Sequence, residues 1–133
     1  MKKNIINQLA EDKGSYFNAA IPPIFSNSNF LFSNVDDMRG AMSSKSSNPF
    51  YTRGSNPTTS ILEKKIAALE GTEKAIALSS GMAAITTAIL SQANSGDHII
   101  SIKTPYTGTD RFMKEILPKL NIEVSFVDGT KTE

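Results

Sequence analysis

The residues best suited to bind a ligand form a turn between an apolar run and a helical pattern. Ser79-Ser80-Gly81-Met82 follows the apolar run Lys74–Leu78 and opens a helical pattern over Met82–Gln92. The first N–H groups of a helix lack partners inside it, and the helix dipole favours an anion there. A glycine lets a ligand approach the backbone, so Gly81 and Met82 are candidate phosphate-binding residues. The alternative is that the turn simply caps the helix.

A second candidate is the segment Tyr51-Thr52-Arg53-Gly54-Ser55-Asn56-Pro57-Thr58. The guanidinium of Arg53 offers a planar pair of donors that suits a phosphate, and the hydroxyl of Tyr51 adds another donor. Together they could form half of an anion site. A surface loop with an exposed arginine remains the alternative.

A third candidate is Tyr106, which lies just beyond the predicted strand His98–Ile102. Residues that follow the carboxyl ends of parallel strands line the ligand crevice of open α/β sheets. An aromatic ring there can stack on a flat ligand, although many such tyrosines only pack against the protein.

The sequence lacks the motifs or residues that several other chemistries need. The chain has neither of the glycine-rich phosphate motifs of P-loop and dinucleotide-binding proteins, and it has no G-x-S-x-G. It has no cysteine and one histidine, His98, for which we expect a structural role. We expect no metal site.

Composition indicates one ordinary globular domain. Of 133 residues, 39% are hydrophobic and 20% are charged, with a net charge of +1. This balance predicts neither a nucleic-acid nor a membrane partner. The N-terminus has no apolar run long enough for a signal peptide, so a cytoplasmic location is expected.

Helical and strand patterns alternate after residue 57. The helix that begins there has a possible capping box formed by Ser60 and Glu63 and is predicted to end at Gly71. The other predicted elements are strands at Lys74–Leu78, His98–Ile102 and 122–126, and helices at Met82–Gln92 and 112–120, the last disturbed by Pro118. This order predicts an α/β fold with mostly parallel strands, as an incomplete part of a three-layer α/β/α architecture.

The chain divides into two predicted regions. Residues 1–56 form an extended N-terminal arm and loop, because Pro22 and Pro23 exclude a helix or central strand there and Ser43–Asn48 indicates a flexible loop. Residues 57–133 form the first part of the α/β domain.

Several short motifs occur together in a fixed order. They are Tyr51-Thr52-Arg53, Asn56-Pro57-Thr58, Leu69-Glu70-Gly71, Ser79-Ser80-Gly81-Met82-Ala83-Ala84, Gly96-Asp97 and Tyr106…Thr109. This string resembles the Cys/Met-metabolism (transsulfuration) family of enzymes that depend on pyridoxal 5′-phosphate (PLP). The resemblance runs from about Ala20 to Asp128 and covers only the N-terminal part of a usual family member.

The resemblance implies a fold-type I PLP-transferase domain and gives each candidate a role. The backbone N–H groups of Gly81 and Met82 would bind the PLP phosphate. Tyr51 and Arg53 would reach the phosphate bound by a neighbouring subunit of a homo-oligomer. Tyr106 would stack on the pyridine ring and act as a catalytic residue in proton transfer.

The resemblance also implies carbon–sulfur chemistry on an amino-acid substrate, either a thioether or a homoserine ester. Methionine γ-lyases commonly carry a cysteine two residues after the stacking tyrosine, where this chain has Gly108. A cystathionine lyase is therefore favoured, and the alternatives are cystathionine γ-synthase, a methionine γ-lyase or a non-catalytic remnant. The family's Schiff-base lysine would lie past residue 133, so this chain alone is expected to be inactive.

Overall fold

The computed structural model describes residues 9–43 and 48–131, so most of the predicted loop Ser43–Asn48 lies outside the described residues. The chain forms two compact units, residues 1–77 and residues 78–133. Within the described ranges, no helix has the length and apolar character needed to cross a membrane. The predicted boundary at residue 56 between arm and cofactor domain stays a prediction.

Helices dominate the described residues, and the two strands found among them lie in the C-terminal half. A short 3-10 helix (Lys13–Tyr16) precedes α1 (Val35–Met42), α2 (Pro57–Glu70), α3 (Gly81–Leu90), β1 (His98–Ile102), α4 (Thr107–Arg111) and β2 (Glu123–Val127). Helix α4 continues into a π-helical turn (Phe112–Ile116) and a 3-10 turn (Leu117–Leu120) before β2.

Helix α2 is the main element of the first unit. Its N-cap is Asn56, whose side-chain oxygen accepts the N–H of Thr58 at 2.9 Å, and Pro57 takes the first helical position. Gly71 ends the helix with φ of 68°, a left-handed conformation that glycine adopts without a steric penalty. The predicted helix and its glycine C-cap are confirmed.

Two predictions near this helix are wrong. Ser60 and Glu63 form no capping box, because α2 begins three residues before Ser60 and the Glu63 carboxylate accepts the N–H of Ala77 at 2.9 Å. The segment Lys74–Leu78 is not a buried strand: it pairs with no strand in the described part of the chain. Its Ile76 side chain is 76% exposed.

Helix α1 lies inside the predicted arm and was not predicted. The side chain of Asn34 caps it by accepting the N–H of Asp37 at 2.8 Å. Asp36 and Asp37 in the first turn complement the helix dipole. The only signal in the sequence was this asparagine followed closely by two acids.

The second unit contains a parallel pair of strands. Strand β1 pairs with β2 in register from His98 opposite Glu123 to Ile102 opposite Val127. The parallel α/β class is confirmed, with two paired strands among the described residues instead of the three predicted. Both strands have one half-buried face, and the alternate residues are exposed.

The residues that follow α4 supply the core of this unit. Leu117 is fully buried, and Phe112, Met113 and Ile122 are buried around it. Other apolar side chains pack against this cluster, namely Met82, Ile89, Ala93, Ile99, Val124 and Phe126. The core therefore fixes α3, α4 and the sheet relative to one another, and with them the loop that carries Tyr106.

Candidate cofactor site

The start of α3 presents backbone donors to solvent. Ser80 is extended and caps the helix, because its hydroxyl oxygen accepts the N–H of Ala83 at 3.1 Å and its carbonyl accepts the N–H of Ala84 at 3.0 Å. Across residues 9–43 and 48–131, the N–H groups of Gly81 and Met82 bond to no acceptor. A Cβ added at Gly81 would meet nothing within 4 Å. The helix start is therefore open and fits an anion such as phosphate.

Tyr106 lies four residues beyond β1, at the N-terminus of α4. Its carbonyl accepts the N–H of Asp110 at 3.0 Å, while its side chain is 69% exposed. The ring lies against Gly108, where an added Cβ would be 2.9 Å from Tyr106 Cε1 and 2.7 Å from Met82 Sδ. The second unit thus brings Gly81, Met82 and Tyr106 together.

Tyr51 and Arg53 lie in the first unit, in a loop held against the arm. Tyr51 forms an antiparallel bridge with Asn29, and its carbonyl accepts the N–H of Gly54 at 2.9 Å. The Arg53 guanidinium lies 5.1 Å from the centre of the Tyr51 ring, a cation–π contact. Arg53 is exposed, so its donors face solvent and remain accessible to an anion.

Sequence reasoning missed the side chain that anchors this loop. Asn56 is buried, and its amide donates to the carbonyl of Phe25 at 2.9 Å and to the hydroxyl of Thr52 at 3.1 Å. The signal was available, because asparagine before proline is a common helix N-cap pair. The link to Phe25 spans 31 residues and has no local signature.

His98 and Asp128 of the second unit have ordinary structural partners. His98 Nε2 lies 2.8 Å from Ser125 Oγ on the facing strand. After β2, the hydroxyl and N–H of Thr130 hold the pKa of the Asp128 carboxyl below its usual value. No group of three or more metal-ligating side chains lies together in the described ranges.

The second unit combines an open helix start with an aromatic ring beyond a parallel strand, an arrangement that suits a flat ligand with a phosphate group. The chain belongs to the Cys/Met metabolism PLP-dependent enzyme family, whose model matches residues 3–133. Members of this family and the relatives below are PLP-dependent carbon–sulfur lyases and transferases. PLP is therefore the cofactor of the family, and the donors of α3 fit its phosphate.

Individual relatives span several reactions. The chain is 37% identical over 136 residues to the L-methionine γ-lyase of Fusobacterium nucleatum subsp. nucleatum, covering 100% of this chain and 34% of that enzyme. It is 41% identical over 107 residues to the O-acetyl-L-homoserine sulfhydrylase of Corynebacterium glutamicum, covering 80% of this chain and 24% of that enzyme. Cystathionine γ-synthase 1 of Arabidopsis thaliana is 35% identical over 87% of this chain and 21% of its own length.

A solved structure supports the fold. A Campylobacter jejuni protein assigned as an O-acetylhomoserine (thiol)-lyase, which carries a pyridoxyl-lysine phosphate residue, matches with a TM-score of 0.86 and 27% identity. The match covers 98% of this chain and 32% of that protein. The chain thus spans about a third or less of the proteins that it matches.

Proposed function

We propose that this chain forms the phosphate- and ring-binding part of a PLP-dependent enzyme that breaks or forms carbon–sulfur bonds in amino acids. The observation that carries the proposal is the pair of N–H groups at Gly81 and Met82, which have no acceptor among the described residues and lie at the start of α3. When bound, PLP supplies an electron sink for negative charge on the substrate.

Each site residue has a distinct task in this proposal. Gly81 and Met82 donate backbone hydrogen bonds to the phosphate, and Tyr106 covers the pyridine ring and helps proton transfer. Tyr51 and Arg53 bind the phosphate held by a neighbouring subunit, which makes the active protein a homo-oligomer. The exposed Arg53 guanidinium, already ordered on the Tyr51 ring, supports this last role. The cytoplasm is the proposed location.

The favoured reaction is that of a cystathionine lyase, because Gly108 replaces the cysteine common in methionine γ-lyases. A second candidate is elimination or replacement at the γ carbon of methionine or a homoserine ester. The names of the similar enzymes favour it, since they include L-methionine γ-lyases and O-acetyl-L-homoserine sulfhydrylases.

Product analysis of the complete gene product separates these reactions. β-Elimination of cystathionine yields pyruvate, homocysteine and ammonia, whereas γ-elimination of methionine yields 2-oxobutyrate, methanethiol and ammonia. Pyruvate from cystathionine supports the first candidate, and 2-oxobutyrate from methionine supports the second. An absence of products from cystathionine, methionine and O-acetylhomoserine with sulfide supports a non-catalytic remnant.

The phosphate site is tested with one pair of substitutions. Gly81→Pro removes the N–H at the first helical position, which tolerates proline, and the extended Ser80 before it is compatible with a following proline. Gly81→Ala is the matched comparison because it keeps the N–H and adds a Cβ in open space. We expect Gly81→Pro to bind pyridoxine 5′-phosphate about tenfold more weakly than Gly81→Ala, since it lacks one hydrogen bond to a charged group.

Isothermal titration calorimetry measures both affinities. Pyridoxine 5′-phosphate is the probe because it has the ring and phosphate of PLP without the aldehyde, so it cannot react with lysines. Equal affinities of the two variants would refute a phosphate site at the start of α3.

A further inference from the structure

Gly108 lies where two side chains of the site converge. A Cβ built on it would be 2.7 Å from Met82 Sδ, 3.3 Å from Met82 Cγ and 2.9 Å from Tyr106 Cε1. Contacts below 3.0 Å force a neighbour to move. The absence of a side chain at Gly108 therefore lets the Met82 thioether and the Tyr106 ring lie against the same piece of backbone.

Both the backbone and the side chain of Met82 are held in place. Its carbonyl accepts a hydrogen bond from the hydroxyl of Thr86 at 2.8 Å within α3, which fixes the backbone beside the open N–H groups. Its half-buried side chain packs against the core cluster around Phe112. A thioether is polarisable and forms favourable contacts with the edges of aromatic rings. One residue thus links the helix start to the surroundings of Tyr106.

We propose that the Met82 side chain is a positioning residue for Tyr106. Its thioether, seated against Gly108, supports the ring so that Tyr106 covers a pyridine ring whose phosphate is held at the start of α3. This inference rests on the proposed function. There Met82 acts through its backbone N–H, and here its side chain gains a second role. Tyr106 is largely exposed, so the orientation of its ring depends on the contacts of its covered side, where Gly108 lies.

The test compares two probes on the same chain: pyridoxine 5′-phosphate, which has a ring, and inorganic phosphate, which has none. Met82→Ala keeps the backbone N–H but removes the thioether. We expect its loss of affinity for pyridoxine 5′-phosphate to exceed its loss for inorganic phosphate by about fivefold, the size of one aromatic contact. Met82→Leu, which restores the bulk, should recover most of the difference.

Gly108→Ala is a second variant that keeps Met82 but displaces both neighbours, and it should show the same selective loss. In a Tyr106→Leu background, Met82→Ala should cause little additional loss, because the ring that it supports is gone. Met42→Ala, an exposed methionine in α1, is the matched control. Circular dichroism melts identify any variant that fails to fold.

The outcomes distinguish the two proposals. The positioning role would be refuted if Met82→Ala lost affinity equally for both probes. It would also be refuted if Met82→Ala caused its whole selective loss of affinity in the Tyr106→Leu background. Both results would leave the phosphate site intact. Weak binding of inorganic phosphate together with equal affinities of Gly81→Pro and Gly81→Ala would instead refute the phosphate site itself.

Discussion

At the residue scale, single polar side chains fix the backbone around the candidate binding residues. Asn56 joins three parts of the first unit, because it caps α2 and also donates to the carbonyl of Phe25 and the hydroxyl of Thr52. Ser80 caps α3 in the second unit. In both places the cap satisfies one N–H of the helix start, and at α3 it leaves the N–H groups of Gly81 and Met82 for a ligand.

We predict that Asn56→Ala lowers the free energy of unfolding by about 2–3 kcal/mol, since it removes a helix cap and leaves the partly buried carbonyl of Phe25 without its donor. Asn56→Ser is the matched control because serine still caps a helix but is too short to reach Phe25. It should cost about half as much. Urea unfolding followed by circular dichroism measures both values. An Asn56→Ser variant as stable as the unmodified chain would show that the link to Phe25 contributes nothing, and equal costs of the two variants would show that the cap contributes nothing.

Local chemistry made some of these residues predictable. Gly71 was predicted as a C-cap because a glycine that follows a periodic apolar pattern ends a helix, and its φ of 68° agrees. The Ser60–Glu63 capping box was wrong because Glu63 finds a partner 14 residues away at Ala77. The approach of the Met82 and Tyr106 side chains to Gly108 could not be predicted either, since it depends on how α3 packs beside α4.

At the element scale, elements with a local sequence pattern were easier to predict than contacts between distant segments. Helix α2 follows a local apolar period and strand β1 is a short apolar run, and both were predicted closely. The apolar run Lys74–Leu78 has a strand-like composition, but a strand also needs a partner, and no strand of the described residues pairs with it. Helix α1 is short, so its period was too brief to detect.

The run from α4 into the π-helical turn carries an exposed ion pair that should respond to pH. Arg111 Nε donates to Glu115 Oε1 at 3.2 Å, and this hydrogen bond and charge lower the pKa of Glu115 below its ordinary value of 4.5. A carboxyl with a lowered pKa stabilises the fold above its ordinary pKa, and this stability is lost as the pH falls through the lowered value. We therefore expect NMR titration to give Glu115 a midpoint below 4.5.

Arg111→Met should return that midpoint to its ordinary value. The same titration contains its own control, because the pKa of Asp128 is lowered by Thr130 and not by Arg111. If Arg111→Met left Glu115 unchanged, the ion pair would not persist in solution.

At the scale of the whole molecule, one face of the sheet in the second unit is exposed across the part of the chain that the structure describes. Ile100, Ile102 and Val127 point to this face and are 67%, 51% and 46% exposed. Parallel sheets are normally covered on both faces, and exposed apolar patches promote association. The sequence predicted an unfinished sheet from its few strands, but which face lies open depends on where α3 and α4 pack.

We predict that the 133-residue chain self-associates through this face and that Ile100→Lys shifts it toward the monomer. A charge at the centre of the face is costly to bury in a contact between copies. Light scattering across a concentration series measures the change. Leu31→Lys, in the first unit and fully exposed, is the control. If only Leu31→Lys changed the association, the arm and not the sheet would be the contact.

The π-helical turn Phe112–Ile116 has a consequence for how the lengths of related chains can differ. There the N–H of Leu117 bonds to the carbonyl of Phe112, so the turn holds one residue more than an α-helical turn while Leu117 remains fully buried. Loss of one residue inside this turn would restore a regular α-helix and leave both flanking segments on their present faces. The same loss within α2 would rotate everything beyond it by about 100°. Single-residue gaps among homologues should therefore gather at 112–116 rather than in α2.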